Sequence, residues 1–436
     1  MARPNILYMH SHDTGRYIQP YGYAVPTPNL QRLAEQGVLF RQAFCAGPTC
    51  SPSRAALVTG QSPHSSGMLG LAHRGFSLSD YSHHLVHTLR QAGYASTLIG
   101  VQHVARNPAL IGYDQVLKLD DRMAETVASA AAKFLADAPE QPFFLSVGCG
   151  QTHRKFPDPG SENDPRYCRP PAPIPDTAAT RRDMAGFATL ARAMDEGWGT
   201  VLAALEAGGL ADNTLVICTT DHGIAFPHMK CNLTDHGIGV MLIVRGPGGF
   251  SGGKVLDAMV SQIDIFPTLC ELLQIDPPAW LEGESMMPLV RGEAEEINEY
   301  IFSEVTYHAA YEPMRCIRTK RHKYIQRFHE RRRAVMANTD DSPSKDLWLE
   351  HGWLDQYAPA EELYDLVFDP NERANLAAEP IMVAEKARLR HWLTQWMQET
   401  DDPLLKGPVP VPPGARVSDV DDLSPQDVSR RMQASG

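Results

Sequence analysis

Four short β-rich runs alternate with helical segments along the first half of the chain. They cover residues 5–10, 96–99, 142–148 and 214–218, and each is followed directly by polar residues. Strands that alternate with helices predict a large, mostly parallel sheet flanked by helices. Ligands of such open α/β sheets bind beyond the carboxyl ends of the strands. The polar residues after these runs are therefore the first candidates for a functional site.

The second part of the chain has a different texture. After Pro288 the sequence becomes charged, and short strands with tight turns follow from about residue 301. The length of 436 residues allows one large domain and a smaller one. We predict a catalytic α/β domain over 1–290, and an α+β unit with a small antiparallel sheet and a helix over 291–405. An extended tail over 406–436 would complete the chain and is compatible with a homo-oligomer.

The net charge of −12 argues against nucleic acid or an anionic membrane as the main partner. We find no signal peptide before the first strand and no apolar run long enough to span a bilayer. Eight cysteines show neither zinc spacing nor a compact disulfide pattern, so we expect a cytoplasmic protein with mostly reduced thiols. A site for an anionic substrate must then be locally positive within an acidic chain.

Cys50 stands at the predicted start of a short helix. Pro52 fits the first turn of a helix, residues 54–58 continue it, and Gly60 ends it. The free N–H groups and the dipole at a helix N-terminus favour a nearby anion, and Arg54 adds a permanent positive charge. Two interpretations follow: Cys50 is a small buried residue, or it is a modified nucleophile.

The run C-x-P-S-R followed by L-x-T-G over residues 50–60 resembles the signature of the type I sulfatases of the alkaline phosphatase superfamily. Residues 27–37 and 361–376 are also similar to this family, and the resemblance extends to about Asp402. It implies an alkaline phosphatase-like fold. It also implies that a formylglycine-generating enzyme oxidises Cys50 to formylglycine, whose hydrated aldehyde attacks a small-molecule sulfate ester.

Several stretches look closer to the N-sulfoglucosamine sulfohydrolase group of sulfatases, among them residues 223–227 and 396–403. That group carries H-D-P-H where this chain has Gly150-Gln151-Thr152-His153. The Asp that would meet the sugar side of a sulfamate is therefore missing. The resemblance is carried over for the reaction class and not for the substrate.

A carboxylate beside an imidazole at a strand end is well suited to bind a metal, and Asp221 and His222 form such a pair. The resemblance implies that they hold one divalent cation together with Asp13 and the side chain at position 50. His12 replaces the first Asp of the family's pair, so it either coordinates the ion or lines the site. Carboxylate ligands suit calcium, which is usual in sulfatases, whereas two imidazoles would favour manganese or zinc.

The resemblance also assigns catalytic roles. Arg54 neutralises charge on the anion, His153 protonates the leaving oxygen, and His103 is the base that releases sulfate. Val101 stands where the family usually has a Lys, so one positive contact is lost. Without the resemblance, His103 would be read as a structural histidine, and for His153 a solvated loop histidine would be about as good a reading.

Lys230 falls where the family places a Lys or Arg that grips the sulfate oxygens, although a solvated surface Lys is the alternative. We assign Lys230 to catalysis and to substrate binding. His153 and the nearby His228 are assigned to substrate binding with it.

Two alternatives stay open. The Asp-His pair also resembles phosphonate monoester and phosphodiester hydrolases of the same superfamily, which transfer a phosphoryl group. If Cys50 is never oxidised, the chain could instead be a catalytically silent binding protein on the same fold.

Overall fold

The structure is a computed structural model, and it describes residues 3–428. In this part of the chain the strands are β1 (Asn5–His10), β2 (Val38–Phe44), β3 (Ala95–Gly100), β4 (Gln115–Leu117), β5 (Phe143–Gly148), β6 (Thr214–Thr219), β7 (Leu242–Arg245), β8 (Lys254–Ser261), β9 (Tyr300–Tyr307), β10 (Tyr311–Thr319), β11 (His322–Arg327) and β12 (Glu361–Asp365). The α-helices are α1 (Pro28–Gln36), α2 (Cys50–Thr59), α3 (Pro63–Ser66), α4 (Leu85–Gln91), α5 (Ala124–Ala136), α6 (Ala178–Ala207), α7 (Asp235–Ile238), α8 (Ile265–Leu273), α9 (Met287–Arg291), α10 (Pro343–Glu350) and α11 (Val383–Glu399).

Strands β1 to β8 form one sheet in the order β4-β3-β5-β1-β6-β7-β2-β8. Neighbouring strands run parallel except at β7, which is antiparallel to both β6 and β2. After β6, residues 220–241 hold only the four-residue helix α7 and do not form a helical crossover, so β7 returns antiparallel to β6. The prediction of a large, mostly parallel sheet is confirmed.

Four adjacent strands end side by side in the middle of this sheet. Gly100 of β3 lies opposite Gly148 of β5, which lies opposite His10 of β1, which in turn lies opposite Thr219 of β6. The loops that follow these four residues therefore start from one short line along the carboxyl edge. This register is what lets residues far apart in the sequence meet.

Both faces of the sheet are covered. Leu7 and Met9 of β1 pack on one face in a core that includes Trp198 of α6. Ile6 and Tyr8 point to the other face and join a core that includes side chains of α2, α4 and α8. Strands buried on both faces read as continuous apolar runs, which is why β1 has no alternation of polar residues.

Strands β9 to β12 form a second, antiparallel sheet in the order β12-β11-β10-β9. The buried Leu389, Leu393 and Met397 of α11 belong to the core cluster beside this sheet. The predicted smaller antiparallel sheet with a helix is confirmed, while the boundary at residue 290 stays a prediction.

The predicted tail folds back onto its own chain as far as the structure describes it. The backbone N–H of Val409 donates to the Tyr311 hydroxyl at 3.0 Å, and Ser418 forms a bridge with Ala310. Residues 429–436 of the predicted tail lie outside the described residues. Within residues 3–428, no helix has the length and apolar character needed to cross a membrane.

Helix α4 starts only after a separate 3-10 turn. Tyr81–His83 form a single 3-10 turn, and α4 begins at Leu85. The Nδ1 atom of His84 accepts a hydrogen bond from the backbone N–H of Val86 and so caps the start of α4.

Candidate active site

Helix α2 holds Cys50 at its first position, beside the ends of β1 and β6. Every residue of α2 is buried, and Cys50 itself is 3% exposed. The helix ends at Thr59 and is capped by Gly60, whose φ of +67° lies in the left-handed region that favours glycine. The nucleophile candidate is thus fixed by the packing of its whole helix.

The candidate metal ligands lie together at this point. The side-chain ligand atoms of His12, Asp13, Cys50 and Asp221 all lie within 4.8 Å of one another. The Nδ1 atom of His12 lies 2.8 Å from Asp13 Oδ1 and 3.1 Å from Asp221 Oδ2. The Nε2 atom of His222 lies 3.4 Å from Asp13 Oδ1 and 3.5 Å from the Cys50 Sγ atom. The predicted set of five is therefore one cluster.

This donor set fits a divalent cation. Burial alone would raise the pKa of Asp13, but Lys230, together with His153 and His12, holds it well below its usual range. Burial lowers the pKa of His12 to about 4, against the opposing effect of Asp221 and Asp13, so the imidazole is neutral at pH 7. Ionised carboxylates with a neutral imidazole are the ligand forms that divalent metals bind.

Two residues of the site adopt an unusual backbone conformation. Asp13 has φ of +55° and His103 has φ of +58°, both in the left-handed region that residues other than glycine rarely occupy. Such strain costs about 1–3 kcal/mol and persists only where the surroundings enforce it. Each residue stands three positions after the end of a strand, so the strained turn sets the direction of its side chain.

Arg54 is anchored by three contacts around the cluster. Its guanidinium donates to Asp221 Oδ2 at 3.0 Å and to the carbonyl oxygen of Ser11 at 2.7 Å, and it lies 2.6 Å from His10 Nδ1. The remaining Nε–H is buried and has no hydrogen-bond partner among the described residues. An orphaned buried donor on a permanent cation is a good position for binding an anion.

Lys230 lies between two carboxylates and beside a histidine. Its Nζ atom donates to Asp13 Oδ2 at 2.8 Å and to Asp340 Oδ2 at 2.9 Å, and lies 3.4 Å from His153 Nε2. The side chain is 3% exposed, and the neighbouring carboxylates keep its pKa well above the usual value although burial opposes this. The solvated surface Lys of the alternative interpretation is therefore excluded.

The unmodified Cys50 thiol is a weak nucleophile. Burial raises its pKa well above the usual value, and Asp13 and Asp221 add to this effect against Lys230 and Arg54. The attraction of the helix N-terminus for an anion is thus outweighed at the sulfur atom itself. Since the thiolate is the nucleophilic form of cysteine, the unmodified side chain has little reactivity at neutral pH.

His103 and His153 pack against His12 from two sides. The Nδ1 atom of His103 lies 3.3 Å from the Nε2 atom of His12, and the His153 ring lies 4.7 Å from the His12 ring. Burial, with His12 and Arg54, lowers the pKa of His103 well below the usual value. A neutral His103 is able to accept a proton, which its predicted role as a base requires.

A known protein family matches the part of the chain that carries Cys50 and the candidate metal ligands. The profile of the family described as Sulfatase matches residues 4–275, which is more than half of the chain. The chain belongs to the sulfatase family. A second profile, described as N-sulphoglucosamine sulphohydrolase, C-terminal, matches residues 228–347. The family predicted from residues 50–60 is thereby confirmed.

Individual relatives extend the match over almost the whole chain. Human (Homo sapiens) N-sulphoglucosamine sulphohydrolase is 31% identical, covering 93% of this chain and 92% of that protein. An ulvan-active sulfatase of Formosa agariphila is 28% identical over 94% of this chain and 83% of its own length. The solved phosphonate monoester hydrolase of Agrobacterium radiobacter has a TM-score of 0.72, with 94% of this chain and 100% of that chain covered. At 23% identity this last likeness shows the fold alone.

The structure places one residue of the predicted site apart from the cluster. His228 is only two residues from Lys230, but its ring lies 5.2 Å from Trp348 and 6.0 Å from Trp353, away from the cluster. The φ of +61° at His228 turns the chain, so the two side chains take different directions. The assignment of His228 to substrate binding is therefore not supported by the geometry.

Sequence reasoning missed Asp340 and His308, which come from the second part of the chain. Asp340 bonds directly to Lys230, and the buried His308 lies close enough to Lys230 and Asp340 for its pKa to be lowered by the first and raised by the second, burial being the largest effect. Neither belongs to a motif at a strand end of the large sheet. No signal in the sequence near these positions pointed to them.

Proposed function

We propose that the protein hydrolyses a sulfate ester, or a sulfamate, through a formylglycine made from Cys50 and with one divalent cation. The single observation that carries this proposal is the meeting of Cys50 with His12, Asp13 and Asp221 within 4.8 Å. A thiol that is buried and protonated has little use at such a centre. An aldehyde at the same position would present the hydrated nucleophile that the family uses.

His12, Asp13, Asp221 and His222 would hold the cation next to the side chain at position 50. When bound, the cation would supply Lewis acid chemistry to the sulfuryl group. Two carboxylates favour calcium, as in the family, and the two imidazoles keep manganese and zinc as alternatives. The identity of the metal is decided by measuring the metal content of the purified protein.

The residues of the chain itself divide the remaining tasks. Lys230 and Arg54 carry the positive charge that faces a bound sulfate. His153 lies 3.4 Å from the Lys230 Nζ atom, where its ring can give a proton to the leaving oxygen. The neutral His103, on the other side of His12, is placed to take a proton from the group at position 50 when sulfate departs.

Mass spectrometry of the peptide that contains Cys50 tests this proposal. Protein from its native host should carry a residue at position 50 that is lighter than cysteine and that reacts with a reagent specific for aldehydes. The same protein should hydrolyse an aryl sulfate. Cys45 lies in the same tryptic peptide, residues 42–54, and serves as the internal control, since fragment ions should show that this buried thiol keeps its full mass. An unmodified Cys50 together with no sulfatase activity would leave only a binding protein.

The same preparation decides between sulfuryl and phosphoryl transfer. Phenyl sulfate and a phosphonate monoester whose ester group is phenyl have the same leaving group, phenoxide. Their kcat/KM values therefore compare the two reactions directly. We expect the sulfate to be the better substrate. A larger kcat/KM for the phosphonate would make phosphoryl transfer the main activity.

We also propose a formylglycine-generating enzyme as the maturation partner and a cytoplasmic location. In support of the location, all eight cysteines lie within the described residues and none is in a disulfide. A homo-oligomer stays a proposal that light scattering at several protein concentrations decides. The location is tested by lysing cells in a reagent that alkylates free thiols. Alkylation of all eight cysteines, or of seven after conversion of Cys50, would support a reducing compartment.

A further inference from the structure

A positively charged cavity opens beside the reacting centre. Its volume is about 380 Å³, a size at which small-molecule sites occur. His12, His103 and His153 belong both to its wall and to the centre. A group attached to a sulfate bound at Lys230 and Arg54 would therefore project into this cavity.

The wall of this cavity contains cationic side chains and, among the described residues, no carboxylate. Arg154 is neutralised, because its guanidinium donates to both oxygens of Asp183 at 2.6 and 2.8 Å. Arg122 and Lys155 are exposed, and neither forms an ion pair or a side-chain hydrogen bond within residues 3–428. These two cations are therefore available to a ligand.

Two free cations at this position exceed what one sulfate needs. In the proposed function a bound sulfate is faced by Lys230 and Arg54, neither of which lines this cavity. The whole chain carries a net charge of −12, so a positive cavity is a local exception. A cleft lined by one sign of charge concentrates ligands of the opposite sign.

We propose that the preferred substrate is a sulfate ester whose leaving group carries a second anionic group, bound by Arg122 and Lys155. The inference rests on the proposed function and adds its substrate class. The planar guanidinium of Arg122 matches a carboxylate or a sulfo group, and Lys155 supplies a compact charge. Met123 and Leu190 in the same wall offer apolar surface to the ring that carries both groups.

Aryl sulfates with matched substituents test this proposal. The pair is 3-carboxyphenyl sulfate and 3-carbamoylphenyl sulfate, which differ in charge and hardly in shape. We expect kcat/KM to be about 10-fold larger for the carboxylate at low salt, which is the combined effect of two exposed ion pairs near the middle of their range. The preference should shrink in high salt. A third substrate, 3-sulfonatophenyl sulfate, shows whether a sulfo group is preferred to a carboxylate.

Variants assign the preference to the two residues. Arg122→Gln and Lys155→Gln should each lower the ratio by about threefold, and the double variant should bring it close to one. The carbamoyl substrate should be hydrolysed at an unchanged rate by all three. Arg32→Gln removes an exposed cation on α1 that makes no ion pair within the described part of the chain, and it should leave the ratio unchanged. A wild-type ratio near one, or a ratio that the double variant leaves intact, overturns the proposal.

A binding measurement separates this inference from the proposed function. Calorimetry with 3-carboxybenzenesulfonate and with benzenesulfonate, neither of which is a sulfate ester, compares the affinities without any turnover. Tighter binding of the first ligand, lost in the double variant, supports the second anion site even in a preparation that hydrolyses nothing. Equal binding of the two ligands rejects it even in a preparation that hydrolyses aryl sulfates.

Discussion

Lys230 shows at the scale of single residues how the centre is balanced. Its ammonium group is shared by Asp13, a predicted metal ligand, and by Asp340, which belongs to no predicted motif. If Asp13 turns its oxygens towards a cation, Asp340 remains as the partner that keeps Lys230 in place. We therefore regard Asp340 as a positioning residue for the Lys230 ammonium group, which faces the sulfate in the proposed function.

Replacing Asp340 by Asn should lower kcat/KM for an aryl sulfate by about 10- to 100-fold, since a hydrogen bond between charged groups is worth about 1.5–3 kcal/mol. The metal content should stay the same, because Asp340 is not among the clustered ligands. Steady-state kinetics and metal analysis give the two readouts. Asp346→Asn, at an exposed carboxylate in the first turn of α10, is the control and should have normal kinetics. Normal kinetics in the Asp340 variant would mean that Lys230 needs no second carboxylate.

Replacing Asp221 by Asn should remove the metal and the activity together. The amide keeps the size of the side chain but not the charge, which the cation requires, so we expect metal affinity to fall by at least about 100-fold. Plasma emission after gel filtration measures the metal bound per chain. Asp257→Asn changes an exposed carboxylate paired with Arg41 and should keep the metal. A metal-loaded Asp221 variant would show that the cation is held elsewhere.

These residues also show what could be predicted from the sequence. Asp13, Asp221 and Cys50 stand next to strand or helix ends within family motifs, so the sheet topology was enough to bring them together. Asp340 follows Lys230 by 110 residues and lies in an irregular loop, so only tertiary packing reveals it. His228 is only two residues from Lys230, but the positive φ at His228 turns its side chain in another direction, which nearness in sequence does not reveal.

At the scale of elements, a buried ion-pair network joins α3, β9, β10 and the end of α11. His64 Nδ1 lies 2.9 Å from Glu304 Oε1, and Arg315 pairs with both Glu304 at 2.9 Å and Asp402 at 2.6 Å. The side chains of His64, Glu304 and Asp402 are close enough together to hold a metal ion. The fully buried Arg315 already neutralises both carboxylates, so we interpret the group as an ion-pair network and not as a metal site. The network holds the small sheet against α3.

His64 makes this network dependent on pH. Burial alone would lower the pKa of His64, but Glu304 outweighs burial, so the pKa is raised above its usual value of about 6.5. The stabilisation from charged His64 is thus complete below about pH 6.5 and is lost as the pH rises through the folded-state pKa. We expect His64→Gln to lower the free energy of unfolding by about 3 kcal/mol at pH 5.5 and by much less at pH 9.5.

Thermal unfolding of both proteins across this pH range measures the difference. His391→Gln serves as the control, because His391 is an exposed histidine on α11. Its melting temperature should follow the wild type at every pH. A loss of stability in the His64 variant that does not depend on pH would show that packing, and not charge, is responsible.

At the scale of the whole molecule, the described part of the tail is bound to the large α/β part of the chain. Arg74 donates to the Ser418 hydroxyl at 3.2 Å and to the Pro425 carbonyl oxygen at 2.8 Å. Further along, Lys345 of α10 donates to the carbonyl oxygen of Leu423 at 2.6 Å. The Ser424 hydroxyl also donates to Asp341 Oδ2 at 2.5 Å, so the tail contacts the loop that precedes α10 and carries Asp340.

Replacing Arg74 by Gln should loosen the tail without unfolding the sheet. Losing charged hydrogen bonds to Ser418 and Pro425 should raise the population of the open tail about 10-fold. Limited proteolysis within residues 408–428 gives the rate of opening, and activity should fall with it if the loop of Asp340 moves. Arg106→Gln, at an exposed arginine with no ion pair among the described residues, should be cleaved as slowly as the wild type.

The near-complete burial of Cys50 has a consequence for the order of events in the cell. An oxidising enzyme needs access to the sulfur atom, which the finished fold does not give. Asp340 follows Cys50 by 290 residues, and a ribosome needs roughly 15 to 60 s to add them. The proposed conversion of Cys50 would therefore have to take place before this part of the polypeptide has folded. On that proposal, chains that fold before conversion would stay inactive, and the yield of active enzyme would depend on the rate of conversion relative to the rate of translation and folding.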